Sequence, residues 1–305
     1  LTLSLSPLGL LTLAACGGGG SGTGIGVGSG SSGLTVNGNV QKGPLHGAFV
    51  FLDYNGDELY DDGSGSNIEE PSVLSDLAGN FSLIATEDSF SIIAITDKGT
   101  VDTSSGVFLD GVKLKAPSGS SMLTPTTTLM EEGNLTASEV VAVLGLPETI
   151  NPLTFDAFAS GVDPSEALAV EKTSHQIMSV VNAFAAGLEG SGASQADSFT
   201  TALNSVVEVI KVNITANTTI DLANETDLTT IKTQILQDVT SVANANVTAF
   251  NDMADSTTTA IFNVNGKINK VTDIGSPSAR NVFSTAQVLN GQIKNGVAAE
   301  ATAAG

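Results

Sequence analysis

The sequence predicts a multidomain α and β chain: an N-terminal antiparallel β-sandwich followed by a mostly α-helical bundle domain. Three observations carry that prediction. Apolar residues alternate with a period of two from Leu34 to about Ala116, in runs broken by Gly, Asn and Asp clusters. After Pro117 the apolar spacing changes to 3.6, the period of one helix face. Helix-start signals, above all Asp163-Pro164-Ser165-Glu166, then precede the apolar stripes.

Residues 1–16 are expected to be a lipoprotein signal peptide. Leu1 to Leu13 is apolar apart from small hydroxyls, and Leu13-Ala14-Ala15-Cys16 follows. Such an apolar stretch is too short to span a membrane as a mature helix, and with small residues behind it, it reads as an export signal. The Leu-Ala-Ala-Cys run resembles the bacterial lipobox, which implies lipidation at Cys16 and a membrane anchor at the cell surface or outer membrane. No Met or basic region precedes it, which implies that the printed sequence begins inside the signal. Residues 17–33 form a Gly/Ser tract that reads as a flexible tether. Within it Gly28 to Gly33 matches G-x-G-x-x-G, but a linker precedes it and no helix follows, so no dinucleotide site is expected.

In the β region, 34–116, the expected strands are Leu34–Val40, Ala48–Asp53, Phe81–Thr86, Phe90–Asp97 and Val107–Lys115, at the spacing of a sandwich. In the helical region, 117–305, Thr136-Ala137-Ser138-Glu139 is a capping box. Behind Asp163 a helix places Val170, Ile177, Val181, Phe184 and Leu188 on one stripe and stops near Gly187 to Gly190. Phe199 to Ile210 forms a second stripe. A third, longer one runs from Leu228 through Val239 and Val242 to Met253, and Val282, Ala286, Leu289 and Ile293 suggest a last helix. Each stripe is narrow and needs a partner, which predicts a loose bundle.

Composition excludes several function classes. Thirty-two acidic side chains against 11 basic ones give a formal charge of −21, which repels nucleic-acid backbones. With 14% charged and 41% hydrophobic residues the chain is not a disordered acidic tail. A single cysteine allows no internal disulfide and no Cys-based zinc site. The chain holds two histidines: His175 falls away from the apolar stripe of its helix and is expected on a solvated face, and His46 is expected in a surface turn. Without a catalytic Cys, a G-x-S-x-G elbow or a P-loop, and without Trp to stack sugars, the expectation is a protein that is not an enzyme.

The strongest local signal is Asp53-Tyr54-Asn55-Gly56-Asp57-Glu58-Leu59-Tyr60-Asp61. Oxygen ligands on alternate residues, with a backbone carbonyl at the seventh position, suit a flexible loop that wraps a hard cation. Asp53, Asn55 and Asp57 supply the side chains, Leu59 its carbonyl, and Asp61 closes the near side. Glu58 and Ser64 stand where an EF-hand needs Gly and Glu, so this is not an EF-hand, and the far ligand falls to Glu69 or Glu70. The expected cofactor is calcium, bound weakly; the plainer alternative is an acidic hairpin loop.

Gly47 to Asp57, Asp61-Asp62-Gly63, Glu70-Pro71-Ser72 and Ser75 to Leu83 together resemble the calcium-loop β-sandwich modules of bacterial surface proteins, the SdrD B-like and carboxypeptidase-regulatory-like (prealbumin-type) group. The resemblance covers about residues 36–97 and implies a spacer or adhesin module; the Gly63–Glu69 insertion departs from it. Met122 to Leu129 and Val143 to Pro147 are similar to segments that follow such modules in surface proteins of marine proteobacteria. The expected function is therefore a non-catalytic surface lipoprotein serving adhesion or envelope structure, with a protein or glycan partner or self-association. The alternatives are capture of a small molecule by the helical domain, or a self-assembling surface filament or layer.

Overall fold

A computed structural model describes residues 33–65 and 67–303; Cys16 and the tether up to residue 32 lie outside the described residues. Among the described residues ten strands come first: β1 (Leu34–Val40), β2 (Leu45–His46), β3 (Phe49–Asp53), β4 (Ser72–Leu74), β5 (Asn80–Ala85), β6 (Ser91–Ile95), β7 (Thr100–Asp102), β8 (Val107–Leu109), β9 (Lys113–Pro117) and β10 (Met122–Leu123). They form three small sheets, ordered β10-β1-β5, β2-β7-β8 and β4-β3-β6-β9.

Alternation builds β5: Phe81, Leu83 and Ala85 point inward while Asn80, Ser82 and Ile84 face out. It pairs antiparallel with β1, Val36 opposite Leu83. The other edge of β1 pairs with β10 in parallel, a departure from the all-antiparallel expectation. The expected run Val107–Lys115 divides into β8 and β9, because Gly111 adopts a φ of +73° that turns the chain between them.

Among the described residues seven α-helices follow: α1 (Pro125–Gly133), α2 (Ala137–Val143), α3 (Pro164–Gly190), α4 (Gln195–Ala216), α5 (Glu225–Asp238), α6 (Val247–Asn269) and α7 (Pro277–Ala303). The capping signals act as read: Thr136 and Glu139 close a capping box, and Asp163 accepts from the Ser165 and Glu166 amides. The long third stripe is two helices. A 3-10 turn at Val239–Ser241 ends α5, Asn244 takes a left-handed φ of 62°, and Asn246 caps α6 by accepting from the Ala249 amide.

The change of period at Pro117 marks a change of element type without a gap in packing. Val36 and Leu83 from one sheet, Val50, Leu52, Ile92 and Leu114 from another, and Ile177, Phe184, Leu203 and Ile210 from the helices all belong to one apolar core. Side chains also sew α1 onto β9: the Thr128 hydroxyl accepts from the Lys115 amide, and the Thr127 hydroxyl donates to the Lys115 carbonyl, both at 2.9 Å.

Helix α3 lies among α4, α6 and α7 and is buried along most of its length. Its late glycines are contact points as well as stop signals. A Cβ on Gly190 would overlap the Lys294 carbonyl of α7, and one on Gly187 would sit 3.0 Å from the Phe250 ring. Helix α3 is therefore closely packed at these two crossings. No helix among the described residues is long and apolar enough to cross a membrane.

Candidate functional site

The acidic loop leaves β3 at Asp53 and returns at Glu70, just before β4. Two buried carboxylates shape it. Asp53 accepts from the Gly56 amide at 2.7 Å and the Glu58 amide at 3.0 Å. Glu70 accepts from the Tyr54 amide at 2.9 Å and the Asp61 amide at 3.0 Å, so it bridges both limbs of the loop. Burial pushes the Glu70 carboxyl above its ordinary pKa, against the pull of those two amides. Of the two candidates for the far side, Glu70 is the one turned inward, while Glu69 is exposed.

The remaining acids lie on the exposed side. The Asn55 side-chain amide donates to Asp57 at 3.1 Å and to Asp61 at 2.8 Å, so these two carboxylates converge on one nitrogen. The Asn55 oxygen accepts from the Asp57 amide, and Asp57 accepts from the Leu59 amide. Each oxygen turned to an amide keeps a second lone pair, so the donor set suits a hard cation. As folded, however, no three acidic or histidine side chains among the described residues are gathered as a metal-holding group. The loop closes on its own amides.

Sequence spacing did not disclose how the loop is fixed to the sheet. Glu58 takes a φ of 61°, unusual for a side chain of its size, and pairs with both Lys113, at 3.0 Å, and Lys115. Burial pushes the Glu58 carboxyl up, but hydrogen bonds from Lys115 and Lys113 outweigh it and hold its pKa below the ordinary value. The buried Lys115 ammonium also reaches Glu132 of α1. Beside this anchor Tyr60 stands edge-on to Phe49 and Phe51, at 5.1 and 5.8 Å, and helps cover the face of β3 opposite the main core. Replacing Asp53 with alanine strands two loop amides, and a loss of about 2–3 kcal/mol in urea unfolding is expected even in the presence of a chelator.

A second polar cluster escaped the sequence altogether. His175, expected on a solvated face, is 1% exposed because α3 has helices on several sides. Its ring stacks on Phe283 of α7 at 3.7 Å, and its Nε2 lies 2.9 Å from Glu171, one helical turn earlier. Lys42 and Asp102, both buried, bring charge from the β region towards the same pair. Burial raises the Glu171 carboxyl to about 7, opposed by the Lys42 charge and a bond from the Gly43 amide. Burial, aided by Lys42, drops His175 well below its ordinary value, and it lowers Lys42 as well. Asp102 is held by the amides and hydroxyls of Ser104 and Ser105. His46, expected in a surface turn, is half-buried in β2 opposite Val101.

No protein-family model, curated protein or solved structure matches this chain.

Proposed function

We propose that the chain is an exported, lipid-anchored protein of the bacterial cell surface, serving adhesion or envelope architecture without catalysing a reaction. Its β region is read as a sandwich stiffened by calcium in the loop that joins Asp53 to Glu70. The observation that carries this reading is the loop itself: Asp57 and Asp61 converge on one side-chain nitrogen, while Asp53 and Glu70 fix the backbone around them. Two inner sheet faces that share one apolar core support the sandwich. The anchor and the surface location rest on the lipobox-like run at Cys16, and the absence of catalysis on the missing nucleophile and base motifs.

Bound calcium would take side-chain oxygens from Asp53, Asn55, Asp57 and Asp61, the Leu59 carbonyl and Glu70, and would supply charge neutralisation there. Asp57→Ala is the informative variant, because Asp57 is exposed and holds only the local Leu59 and Asn55 contacts. Thermal unfolding in millimolar calcium against a chelator should show about 1–2 kcal/mol of calcium-dependent stabilisation in the parent chain and little in Asp57→Ala. An unchanged melting temperature in the parent reduces the loop to a self-satisfied acidic hairpin.

A second reading, capture of a small molecule by the helical region, is favoured by an open depression of about 350 Å³ between α3, the α4–α5 connection and the end of α6.

A further inference from the structure

The basic side chains of this chain are few, and their distribution is uneven. Among the described residues Lys113, Lys115, Lys211, Lys232 and Lys294 each sit against an acidic partner. Lys172, Lys267 and Lys270 have none, and all three line two adjoining depressions that meet at Asn269. Arg280 lies in the first turn of α7, whose Ala279 packs with Ile268 and Val271 at this same end of the bundle. Lys98, on a β turn, and the buried Lys42 are the other cations without an acidic partner within ion-pair reach. In a chain of 32 acids and 11 bases, unpaired positive charge is thus concentrated at one end of the bundle, Lys172 in one depression and Lys267 and Lys270 in its neighbour.

The hollow has built walls. The Ile220 amide donates to the Val143 carbonyl at 2.8 Å, and the Asn265 side chain donates to the Leu222 carbonyl at 2.6 Å, which fixes the α4–α5 connection between α2 and α6. Leu144, Leu146, Ile220 and Leu222 give the depression an apolar side. Its polar side is tied together: Lys172 Nζ donates to the Asn269 carbonyl at 2.9 Å, and Gln176 to the Asn269 side chain at 2.8 Å. An ammonium has three donors, so Lys172 keeps two for a ligand. One acid, Asp221, lines the same depression as Lys172; it accepts from the Ala223 turn amide at 2.8 Å, as Asp273 at this end does from the Gly275 amide, which occupies part of their charge locally.

We infer that this depression binds a small organic anion, a monocarboxylate with a short apolar tail, its carboxylate on Lys172 and its tail along Leu144, Leu146 and Ile220. The inference rests on the small-molecule reading of the helical region and names its ligand class. A volume of about 350 Å³ lies at the lower end of ligand pockets and suits a tail of a few carbons. The wide negative field of the chain sets the entry cost, and the unpaired lysines lower it here.

The test is a titration of the isotope-labelled full chain, followed by backbone amide shifts, with hexanoate, 1-hexanol and hexylamine. Hexanoate is expected to shift the amides of Lys172, Thr219 and Asn269 with a Kd on the order of millimolar, as befits so small a ligand. Lys172→Met should weaken it about tenfold, the worth of one charge-assisted contact. Ala169→Leu narrows the depression without removing any lysine and should abolish the shifts, which keeps the test open if Lys172→Met folds poorly. Equal binding of hexanol or hexylamine overturns the anion assignment while leaving the small-molecule reading in place. No shift with any of the three probes overturns both.

Discussion

Replacing Gly190 with alanine is expected to destabilise the protein by roughly 2–3 kcal/mol, a fall of about 5–10 °C in melting temperature. Inside a helix, alanine is ordinarily better than glycine by up to about 1 kcal/mol. Here the added methyl would overlap the Lys294 carbonyl oxygen and stand 3.0 Å from the Val297 Cβ. A backbone oxygen has no rotamer to retreat to, so α3 and α7 must separate, and the packing cost exceeds the propensity gain. The same substitution at Gly291, an exposed position three residues before Lys294, meets no atom within 4 Å and should stabilise by a few tenths to about 1 kcal/mol. Opposite signs in differential scanning calorimetry would establish the close crossing. A loss at both positions would point to a general intolerance of alanine in α7 and α3, and a gain at both would mean that the helices are further apart than described.

The second large effect is a pH dependence centred on Glu171. Its carboxyl titrates near 7 when folded and near 4.5 otherwise, so its contribution to stability is complete below about pH 4.5 and is lost as the pH rises through 7. His175 behaves in the opposite sense: its folded pKa is depressed, so its contribution is present above about 6.5 and declines as the pH falls. The two slopes oppose each other; the Lys42 charge from the β region acts on both groups, and the Asp102 charge acts on His175. Glu171→Gln keeps the shape and removes the ionisation. At pH 8 it is expected to be more stable than the parent by about 2–3 kcal/mol, slightly less than the full conversion of the Glu171 displacement. At pH 5 the two should differ little. Urea midpoints at pH 5, 6.5 and 8 read this directly, and a difference that stays constant across pH would assign the effect to packing alone.

Local signals in this chain were legible and long-range ones were not. The capping pairs Thr136–Glu139 and Asp163–Glu166 lie within one turn, so spacing alone reveals them. Alternation showed β1 and β5, whereas β2 and β10 are two residues each and owe their existence to distant partners, too short for any period to register. Helix α1 was missed because Thr126, Thr127 and Thr128 look strand-prone. In the fold their hydroxyls are buried, and two of them bond the Lys115 backbone. The acidic loop was visible because its residues follow one another. Its anchor was hidden, since Lys113 and Lys115 lie 55 and 57 residues beyond Glu58. His175 was placed on the wrong side for a related reason: one apolar stripe implies one polar face, and a helix packed on several sides has none.

The position of β1 also bears on the order in which the chain is made. β1 is the middle strand of its sheet, yet its two partners are β5 and β10, the latter ending at Leu123. As the chain emerges from its N-terminal side, this strand appears first and waits for the last strand of the β region before both of its edges are covered. Pairing of that kind is slow, because a long loop must close before the contact forms. An unpaired strand is open to association with other chains for as long as it waits. Its composition is guarded: Thr35, Asn37, Gly38 and Asn39 leave only Leu34, Val36 and Val40 as apolar positions. The polar residues of β1 thus serve the nascent chain as much as the finished sheet, keeping an early, exposed edge soluble until residues 122 and 123 arrive to close it.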